Sequence, residues 1–505
     1  MKALTEEVLK DKIRGCFIGK NIGGTLGAPF EGKTEMNEVS FYTQELSGNP
    51  LPNDDLDLQL VWLVLAEYYG LDRLTSRHFG EYWINALIGP WGEYSNCRWN
   101  CLDGFFPPLS GACDNRELGI SNGAWIRSEI WACLFAGRPD DAIRYAWMDA
   151  SCDHAGDGIY AEMFTAALEA AAFYCSDLRE LLKIGLAKIP QEGRLRECIE
   201  LVIAGYEGGK DWKTVRNQIV ERNRDIGWFQ AAGNVPFAVL ALLYGEGDMG
   251  KTVCLAVNCG DDTDCTAATA GAILGIMQGA SALPERWTKP IGDGIASISF
   301  NNFAMPLPAP TTVTELTERI LKLRKIGTIR DPEFACPEKD FLSGAAAKAI
   351  WERPSFLQSY DLFFVTLEVT YPDGPYLEPG KPCPLKLTAR NSLASSGVLR
   401  ARWQLPENWT ASPSEVHLGI RNFCLSEIEC TVTPPADASL PAMTYLLLEV
   451  RTDDRVCPAV VAVPFRLKDS CRFPGHRGPD VSGSGWFCRS GLMRGIREIR
   501  ENTGK

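Results

Sequence analysis

Apolar residues recur with helical periodicity through the first two thirds of the chain. Stretches such as Tyr160–Ala172, Leu178–Ala187 and Val235–Tyr244 are rich in alanine and other small residues. Small residues on helices let neighbouring backbones approach closely, which is typical of a large helical bundle. We therefore predict an all-α domain over residues 1–335, with Val313–Lys325 as its last helix.

After about residue 355 the pattern changes to short β-rich runs separated by turn residues. Runs of this length and spacing predict an antiparallel β-sandwich of immunoglobulin-like type over residues 356–468. Residues 469–505 are predicted to be a tail, with a helix at Met493–Arg500. The strand candidates are Leu362–Tyr371, Leu385–Ala389, Val398–Leu405, Leu425–Val432, Tyr445–Arg451 and Ala459–Phe465.

Two acidic clusters each stand directly before an apolar helical stretch. One is Asn53–Asp55, and the other contains Asp261, Asp262 and Asp264. Helix capping uses one or two acids, whereas several carboxylates near a buried element repel one another unless a cation neutralises them. Oxygen-rich clusters suit Mg²⁺, Mn²⁺ or Ca²⁺ rather than Zn²⁺. Two separate helix caps on a solvated rim are the alternative that the spacing leaves open.

The spacing within the second cluster constrains where it can lie. Asp262 and Asp264 are two residues apart, so in a continuous helix their side chains would diverge by about 200°. To share one ion they must lie on a loop or at the mouth of a helix. Glu31 lies on a glycine- and proline-containing loop and could serve as a lid or as an acid/base group. A solvated loop glutamate is the simpler alternative.

Charge and composition narrow the classes of function. The chain has 505 residues and a net charge of −13, which argues against nucleic acid or an anionic membrane surface as the main partner. Its length exceeds the single-core limit of roughly 250–300 residues, so we expect at least two domains. The 18 cysteines lack paired metal-ligand spacing, and residues 1–12 lack an apolar signal core. We therefore expect reduced thiols in a cytoplasmic protein.

Five motifs occur between residues 10 and 290 in a fixed order. They are Gly15–Gly19 with Gly27–Glu31, Asn53–Asp55, Ser121–Arg127, Cys152–Gly158, and Asn258–Asp264 followed by Gly271–Gly275. In this order they resemble the ADP-ribosylglycohydrolase family, which includes the dinitrogenase reductase-activating glycohydrolases. Each motif alone is weak, whereas five in order are specific.

The resemblance implies an all-α fold with a two-metal site, usually Mg²⁺ or Mn²⁺, at the mouth of the bundle. It also implies hydrolysis of an N- or O-glycosidic bond at the ribose anomeric carbon, through an oxocarbenium-like transition state and a metal-activated water. Glu31, Asp55 and Asp262 are the candidate catalytic residues. Carried over by position, the metal ligands would be Asn53, Asp54, Asp55, Asp262, Asp264 and Cys265.

The same resemblance assigns substrate contacts to Asn122, Gly123, Arg127, His154 and Asp157. Asn122 and Arg127 are expected to shape the pocket rather than to perform chemistry. A buried Arg127 that only pairs with an acid is an equally weighted alternative. For His154 the alternative is a histidine at a helix start that bonds to a backbone group.

Several positions depart from the family pattern. Asn53 replaces a threonine, and Leu56 and Cys265 also stand where threonine is common. Cysteine is a poorer partner than threonine for Mg²⁺, so the second metal would bind more weakly or would use Thr266 or Asp261. These changes weaken the case for arginine-linked ADP-ribose as the specific substrate.

The leading prediction is a metal-dependent glycohydrolase that acts on a small-molecule or protein-linked ADP-ribosyl substrate, or on a related ribosyl or glycosyl linkage. One alternative is a catalytically weakened protein that binds a nucleotide or sugar and has lost the second metal. Another is a carbohydrate-directed hydrolase whose β-domain binds glycans. The β-domain could equally serve as a dimerisation module or a lid, because its sequence carries no ligand signature.

Overall fold

The computed structural model describes residues 2–87, 92–300, 307–391 and 396–470, which form two compact units. The first unit comprises the described residues up to Ser95 together with Asn115–Arg353. The second comprises Asn96–Asp114 together with the described residues from Pro354 onward. The domain limits 1–335, 356–468 and 469–505 stay a prediction. The tail beyond residue 470, with its predicted helix at Met493–Arg500, lies outside the described residues.

The first unit is helical, and the second unit also contains helical residues within Asn96–Asp114. None of the helices in the described part of the chain is long and apolar enough to cross a membrane. The α-helices in chain order are α1 (Glu6–Gly27), α2 (Asp54–Tyr69), α3 (Ser76–Ala86), α4 (Gly92–Leu102), α5 (Leu109–Ala112), α6 (Glu129–Leu134), α7 (Pro139–Ala150), α8 (Asp157–Ala172), α9 (Leu178–Ala187), α10 (Arg194–Glu207), α11 (Trp212–Arg222), α12 (Ala231–Gly245), α13 (Met249–Asn258), α14 (Thr263–Gln278), α15 (Glu285–Thr288), α16 (Val313–Arg330) and α17 (Ala345–Trp351).

Helices α1 and α14 run antiparallel with their backbones in contact. Gly15, Gly19 and Gly23 of α1, each four residues apart, face Gly275, Gly271 and Ala267 of α14. A Cβ atom on Gly19 would lie 2.1 Å from the Gly271 carbonyl oxygen, and one on Gly23 would lie 2.0 Å from the Ala267 carbonyl oxygen. Only glycine at these α1 positions permits this approach. The contact fixes the start of α14 beside the end of α1.

Helix α2 begins within the first acidic cluster. Asn53 is its N-cap, and the Asn53 side-chain oxygen accepts a hydrogen bond from the Asp55 backbone N–H at 2.8 Å. The helix starts at Asp54, so the acids lie in its first turn rather than before it. Asp57 in the same turn is fully buried and accepts the backbone N–H groups of Ile298 and Ser299, both at 2.6 Å. Asp57 therefore anchors the loop that contains Ile298 and Ser299.

A buried polar network connects α1, α2 and α6. The Lys20 ammonium, with 2% of the residue exposed, donates to Glu129 Oε1 at 2.9 Å and to the Ile126 carbonyl at 2.7 Å. Gln59 Nε2 donates to the other Glu129 oxygen at 2.7 Å. Buried charges cost free energy unless they are paired and hydrogen-bonded, and here they are. The network specifies how these three helices meet.

The second unit contains two five-stranded sheets. Their strands are β1 (Leu357–Asp361), β2 (Val365–Thr370), β3 (Tyr376–Leu377), β4 (Cys383–Asn391), β5 (Gly397–Gln404), β6 (Thr410–Ser412), β7 (Glu415–Ile420), β8 (Leu425–Thr433), β9 (Met443–Thr452) and β10 (Ala459–Leu467). The sheet orders are β1-β2-β4-β8-β6 and β3-β10-β9-β5-β7. All pairings are antiparallel except β3 with β10.

The strand-rich character predicted for this part of the chain is confirmed. The six predicted runs correspond to β2, β4, β5, β8, β9 and β10. The sequence analysis missed β1, β3, β6 and β7. Strands β3 and β6 have only two and three residues, which is too short for a periodic signal. Strand β7 does alternate between exposed and buried positions, so its pattern was present in the sequence.

Residues 96–114 contribute to the core of the second unit, which their sequence pattern did not indicate. Phe105, Leu109 and Cys113 belong to the same buried cluster as the inward-facing strand residues. Arg466 on β10 donates to Asp103 Oδ2 and to Asn100 Oδ1, both at 3.1 Å. A segment distant in sequence thus completes this core.

We expect Gly23→Ala to destabilise the helical unit, because the new methyl group would collide with the α14 backbone. Overpacking of this kind typically costs about 1–3 kcal/mol of folding free energy. Gly233→Ala on α12 is the matched control, since a Cβ there meets no atom within 4 Å. This control should be neutral or stabilising by up to about 1 kcal/mol. Urea unfolding measures both, and equal stability of the two variants would contradict the contact.

Candidate functional site

A cavity of about 210 Å³ opens where the starts of α2 and α14 meet the loop that follows α1. Its walls combine six acidic residues with aromatic and small residues. They are Ala28, Glu31, Gly32, Asp54, Asp55, Gly92, Glu93, Tyr94, Asn122, Gly123, Ile126, Trp228, Phe229, Asp262, Asp264 and Cys265. Both acidic clusters predicted from the sequence therefore contribute to one cavity.

Two sets of potential metal ligands overlap in this cavity. Asp55, Asp264 and Cys265 offer ligand atoms that all lie within 4.8 Å of one another, and so do Glu31, Asp262 and Asp264. Asp264 belongs to both sets. The three aspartates and Cys265 are buried, whereas Glu31 is exposed at the mouth. Acidic clusters of this kind could hold a metal ion.

The buried carboxylates lack enough positive charge to balance them. Asp55 is 2% exposed and Asp262 is 1% exposed. Burial, followed by the nearby charge of Asp264, raises the pKa of both carboxyl groups well above 3.8. Among the described residues, Asp55 Oδ2 has no hydrogen-bond partner. Oxygen donors of this kind, buried and mutually repelling, fit hard divalent cations.

Cys265 adds a sulfur donor to this oxygen-rich site. Burial raises the pKa of its thiol well above 9.0, and the charges of Asp262 and Asp55 act in the same direction. The protonated sulfur donates to Asp55 Oδ1 at 3.5 Å. The Cys265 sulfur therefore lies within 4.8 Å of ligand atoms of Asp55 and Asp264, and its predicted role as a metal ligand stays a prediction.

The Asp262 carboxylate is positioned by asparagines. Asn122 Nδ2 donates to Asp262 Oδ2 at 2.7 Å, while Asn122 Oδ1 accepts from Trp125 Nε1 at 3.1 Å. The Asp262 backbone N–H donates to Asn234 Oδ1 at 3.2 Å. Asp262 is the residue before α14 and Asp264 lies in its first turn, so the pair lies at a helix mouth. Asn122 acts on the site through Asp262.

Asp261 connects three segments around the cavity. Its backbone has a φ of 69°, and its N–H donates to the Lys33 carbonyl at 2.7 Å. Asp261 Oδ1 accepts from Phe229 N at 2.9 Å and from Asn234 Nδ2 at 3.2 Å. Burial raises the pKa of this carboxyl to about 6. Asp261 thus holds the Glu31 loop and the Trp228–Phe229 loop together and does not line the cavity.

Asn53 and Asp54 differ in their placement. The Asn53 side-chain oxygen is engaged as the α2 cap, and its Nδ2 donates to Asp264 Oδ2 at 3.4 Å. Asn53 does not line the main cavity but borders a much smaller void of about 10 Å³ that also contacts Asp55 and Lys20. Asp54 lines the main cavity but belongs to neither set of ligand atoms.

The five residues predicted to contact substrate do not all line the cavity. Asn122 and Gly123 line the cavity, whereas Arg127, His154 and Asp157 do not. Asp157, at the start of α8, accepts the Leu195 backbone N–H at 3.3 Å.

Arg127 and His154 belong to a fully buried network behind the cavity wall. Arg127 donates to Asp149 Oδ1 at 2.7 Å and to Asp153 Oδ1 at 2.6 Å. His154 Nδ1 lies 2.8 Å from the same Asp153 oxygen, and its Nε2 lies 3.0 Å from Ser121 Oγ. Burial alone would raise the pKa of Asp153, but Arg127 and His154 hold it at about 2. Arg127 also donates to the Gly123 carbonyl, so the network supports the cavity wall.

The sequence analysis missed Glu93, in the first turn of α4. Its side chain lines the cavity, and the residue is 3% exposed. A Cβ atom on Gly123 would lie 2.5 Å from Glu93 Oε1, so glycine at 123 makes room for this carboxyl. Burial raises the pKa of Glu93 from 4.5 to about 8, so the group is protonated at neutral pH. Glu93 is a single acid in an aromatic-rich stretch, so no cluster of acids in the sequence pointed to it.

The helical part of the chain matches a known protein family. A family model described as ADP-ribosylglycohydrolase matches residues 5–325, which include both ligand sets and none of the ten strands. An uncharacterized protein from Archaeoglobus fulgidus is 26% identical over 343 residues, covering 62% of this chain and 100% of the relative. A solved structure titled "ADP-ribosylglycohydrolase-related protein complex" is 20% identical, covers 63% of this chain and 99% of that chain, and has a TM-score of 0.44.

We expect Glu93→Gln to change how stability depends on pH. Between pH 4.5 and about 8 the glutamate ionises in the unfolded chain but keeps its proton in the folded one. The wild type therefore loses folding stability as pH rises through this window, and the glutamine variant does not share that loss. In thermal unfolding measured in the presence of a chelator, the melting temperature of the variant should rise relative to that of the wild type from pH 5 to 8. Glu207→Gln, at an exposed position, is the control. A difference independent of pH would contradict the burial of an uncharged Glu93.

Proposed function

The chain belongs to the ADP-ribosylglycohydrolase family, and we propose that it is a metal-dependent glycohydrolase that cleaves an ADP-ribosyl or related ribosyl or glycosyl linkage. The observation that carries this proposal is the convergence of Glu31, Asp55, Asp262 and Asp264 in one cavity, as two ligand sets that share Asp264. The family match includes all four residues.

We propose two Mg²⁺ or Mn²⁺ ions as the cofactor. The two ligand sets supply mainly carboxylate oxygens, which these cations prefer, and Asp55 Oδ2 lacks a partner among the described residues. Asp55, Asp262 and Asp264 would hold the ions, with Glu31 and Cys265 at the two ends of the cluster. Divalent cations bound there supply Lewis acidity toward sugar hydroxyls and water.

The side chains of the cavity suit the two proton transfers of glycoside hydrolysis. We assign the role of general base, which accepts the proton of the attacking water, to Glu31, which is exposed on the loop that Asp261 fixes. Glu93, whose pKa is raised to about 8, holds a proton that it can donate to the leaving group. The fixed carboxylates of Asp55 and Asp262 favour the positive charge of an oxocarbenium-like transition state.

Other residues act by positioning these groups. Asn122 orients Asp262, and Gly123 leaves space for the Glu93 carboxyl. We propose that Arg127 and His154 stabilise the wall that carries Asn122 and Gly123, rather than touching substrate. We propose that Asp157, which accepts the Leu195 backbone N–H, holds the start of α10 against α8 rather than touching substrate.

For the rest of the chain we propose an immunoglobulin-like accessory module over residues 356–468 after a catalytic domain over 1–335. The two sheets of the second unit support the proposal of an immunoglobulin-like module. We also propose a cytoplasmic location, which is supported by the 16 free cysteines of the described residues. The net charge of −13 supports a small or protein-linked substrate over nucleic acid or a membrane surface.

We expect Asp264→Asn to weaken Mn²⁺ binding at both positions, because both ligand sets use this carboxylate. The loss should be about tenfold or more, since even residues that only support ligands contribute 10–100-fold. Calorimetric titration of chelator-treated protein measures it, together with release of ribose or ADP-ribose from ribosyl and ADP-ribosyl conjugates. Asp72→Asn, at an exposed position outside the cavity, should leave both unchanged. Unaltered Mn²⁺ binding in Asp264→Asn would refute the metal site.

We expect Cys265→Ser to change which metal binds best. A thiolate favours soft Cd²⁺ and a hydroxyl favours hard Mg²⁺, so the ratio of Cd²⁺ to Mg²⁺ affinity should fall by about tenfold. Cys254→Ser is the control, because Cys254 does not line the cavity. An unchanged ratio in Cys265→Ser would show that the sulfur does not bind the metal.

A further inference from the structure

Arg216 on α11 is a buried arginine whose side chain joins two segments of the helical unit. The residue is 6% exposed, and its Nε donates to the Cys259 carbonyl at 2.9 Å. Its Nη2 donates to the Thr34 carbonyl. Cys259 follows the last residue of α13, and Thr34 lies three residues after Glu31. One side chain therefore connects the segment that leads into the second acidic cluster with the loop that carries Glu31.

The same two segments are also in direct backbone contact. The Asp261 N–H donates to the Lys33 carbonyl at 2.7 Å. Gly260 has a φ of 78°, and a Cβ atom there would lie 2.2 Å from the Glu35 carbonyl oxygen. Glycine is the residue that permits both this backbone conformation and this approach. The guanidinium bonds to one carbonyl beside this contact on each segment.

An arginine suits this position because its planar guanidinium presents several N–H donors in a fixed fork. Two different nitrogens of Arg216 bond to the two carbonyls, so a single group spans both segments. The Cys259 carbonyl lies at the C-terminal end of α13, where carbonyls lack partners within the helix and a positive charge is favoured. A lysine would offer one nitrogen where the arginine offers two.

Resting on the proposed metal-dependent function, we propose that Arg216 is a positioning residue that holds the Glu31 loop against the start of α14. Glu31, Asp262 and Asp264 form one set of potential ligands, with atoms within 4.8 Å of one another. Asp262 and Asp264 follow directly after one of the joined segments, whereas Glu31 precedes the other. This set is thus assembled across the contact that Arg216 secures. Arg216 does not itself line the cavity, so it acts through the loop.

The second set of potential ligands provides an internal reference. Asp55, Asp264 and Cys265 come from the starts of α2 and α14 and include no residue of the Glu31 loop. Loss of the Arg216 contacts should therefore affect the set that contains Glu31 and spare this one.

Calorimetric titration of Mn²⁺ into the chelator-treated full chain tests the proposal. Arg216→Met removes the donors and should weaken Mn²⁺ binding about tenfold at one position only, since residues that support ligands contribute 10–100-fold. Arg216→Lys should lose less affinity, because an ammonium can still bond to one of the carbonyls. Arg222→Met, at an exposed position on the same helix, is the matched control and should leave both positions unchanged.

A double-mutant cycle with Glu31→Gln separates positioning from general support of the fold. If Arg216 acts through Glu31, Arg216→Met should cause no further loss of Mn²⁺ affinity in a chain that already carries Glu31→Gln. A purely structural role would add its loss in both backgrounds. Arg216→Lys serves in the same cycle if Arg216→Met does not fold.

Three results would overturn the inference: Mn²⁺ binding by the Arg216 variants equal to that of Arg222→Met, loss at both positions, or additive losses in the cycle. In each of these cases, weakened binding by Asp264→Asn would still support the proposed metal site. If the wild-type chain binds no Mn²⁺, the proposed function and this inference fail together.

Discussion

Direct backbone contact between α1 and α14 is the constraint on which the site depends. Gly15, Gly19, Gly23 and Gly27 each lie against an α14 carbonyl, at distances that would place an added Cβ 2.0–2.3 Å from that oxygen. The contact runs to the first residue of α14 and the last residue of α1. Because the helices touch there, the Glu31 loop that follows α1 arrives beside Asp262 and Asp264, and no side chain intervenes. The glycine repeat thus sets where the acids meet.

Bringing these acids together costs electrostatic free energy. The surrounding structure holds the carboxyl groups in position but does not neutralise their charge. Asn53 and Asn122 bond to Asp264 and Asp262, and Asp261 fixes the adjoining loops. These contacts hold geometry but add no positive charge to the cavity. Within the described chain, the buried cation Lys20 is bonded to Glu129 rather than aimed at the cavity. Buried carboxylates held together in this way could bind a divalent cation, which would supply the missing positive charge.

The two units are assembled by different means. The helical unit relies on small residues and buried hydrogen-bonded charges, such as the Lys20–Glu129 pair. The strand-rich unit uses alternating inward-facing apolar residues and recruits Phe105, Leu109 and Cys113 from residues 96–114. The cavity and its ligand sets belong wholly to the helical unit. The chemistry of the site therefore follows from the part of the chain that the family match covers.

The sequence alone determined the helical and strand-rich parts, the two acidic clusters and the family, because glycine spacing and acids at helix starts are local patterns. Asp55, Asp262 and Asp264 could be singled out in that way. Only the tertiary structure decided that Glu93 faces the cavity and that Arg127 and His154 turn away from it. Those outcomes depend on contacts such as Arg127 with Asp149 and Asp153, and on the space that Gly123 leaves for Glu93. Burial and pairing between distant segments leave no periodic trace in the chain, which is why no pattern could predict them.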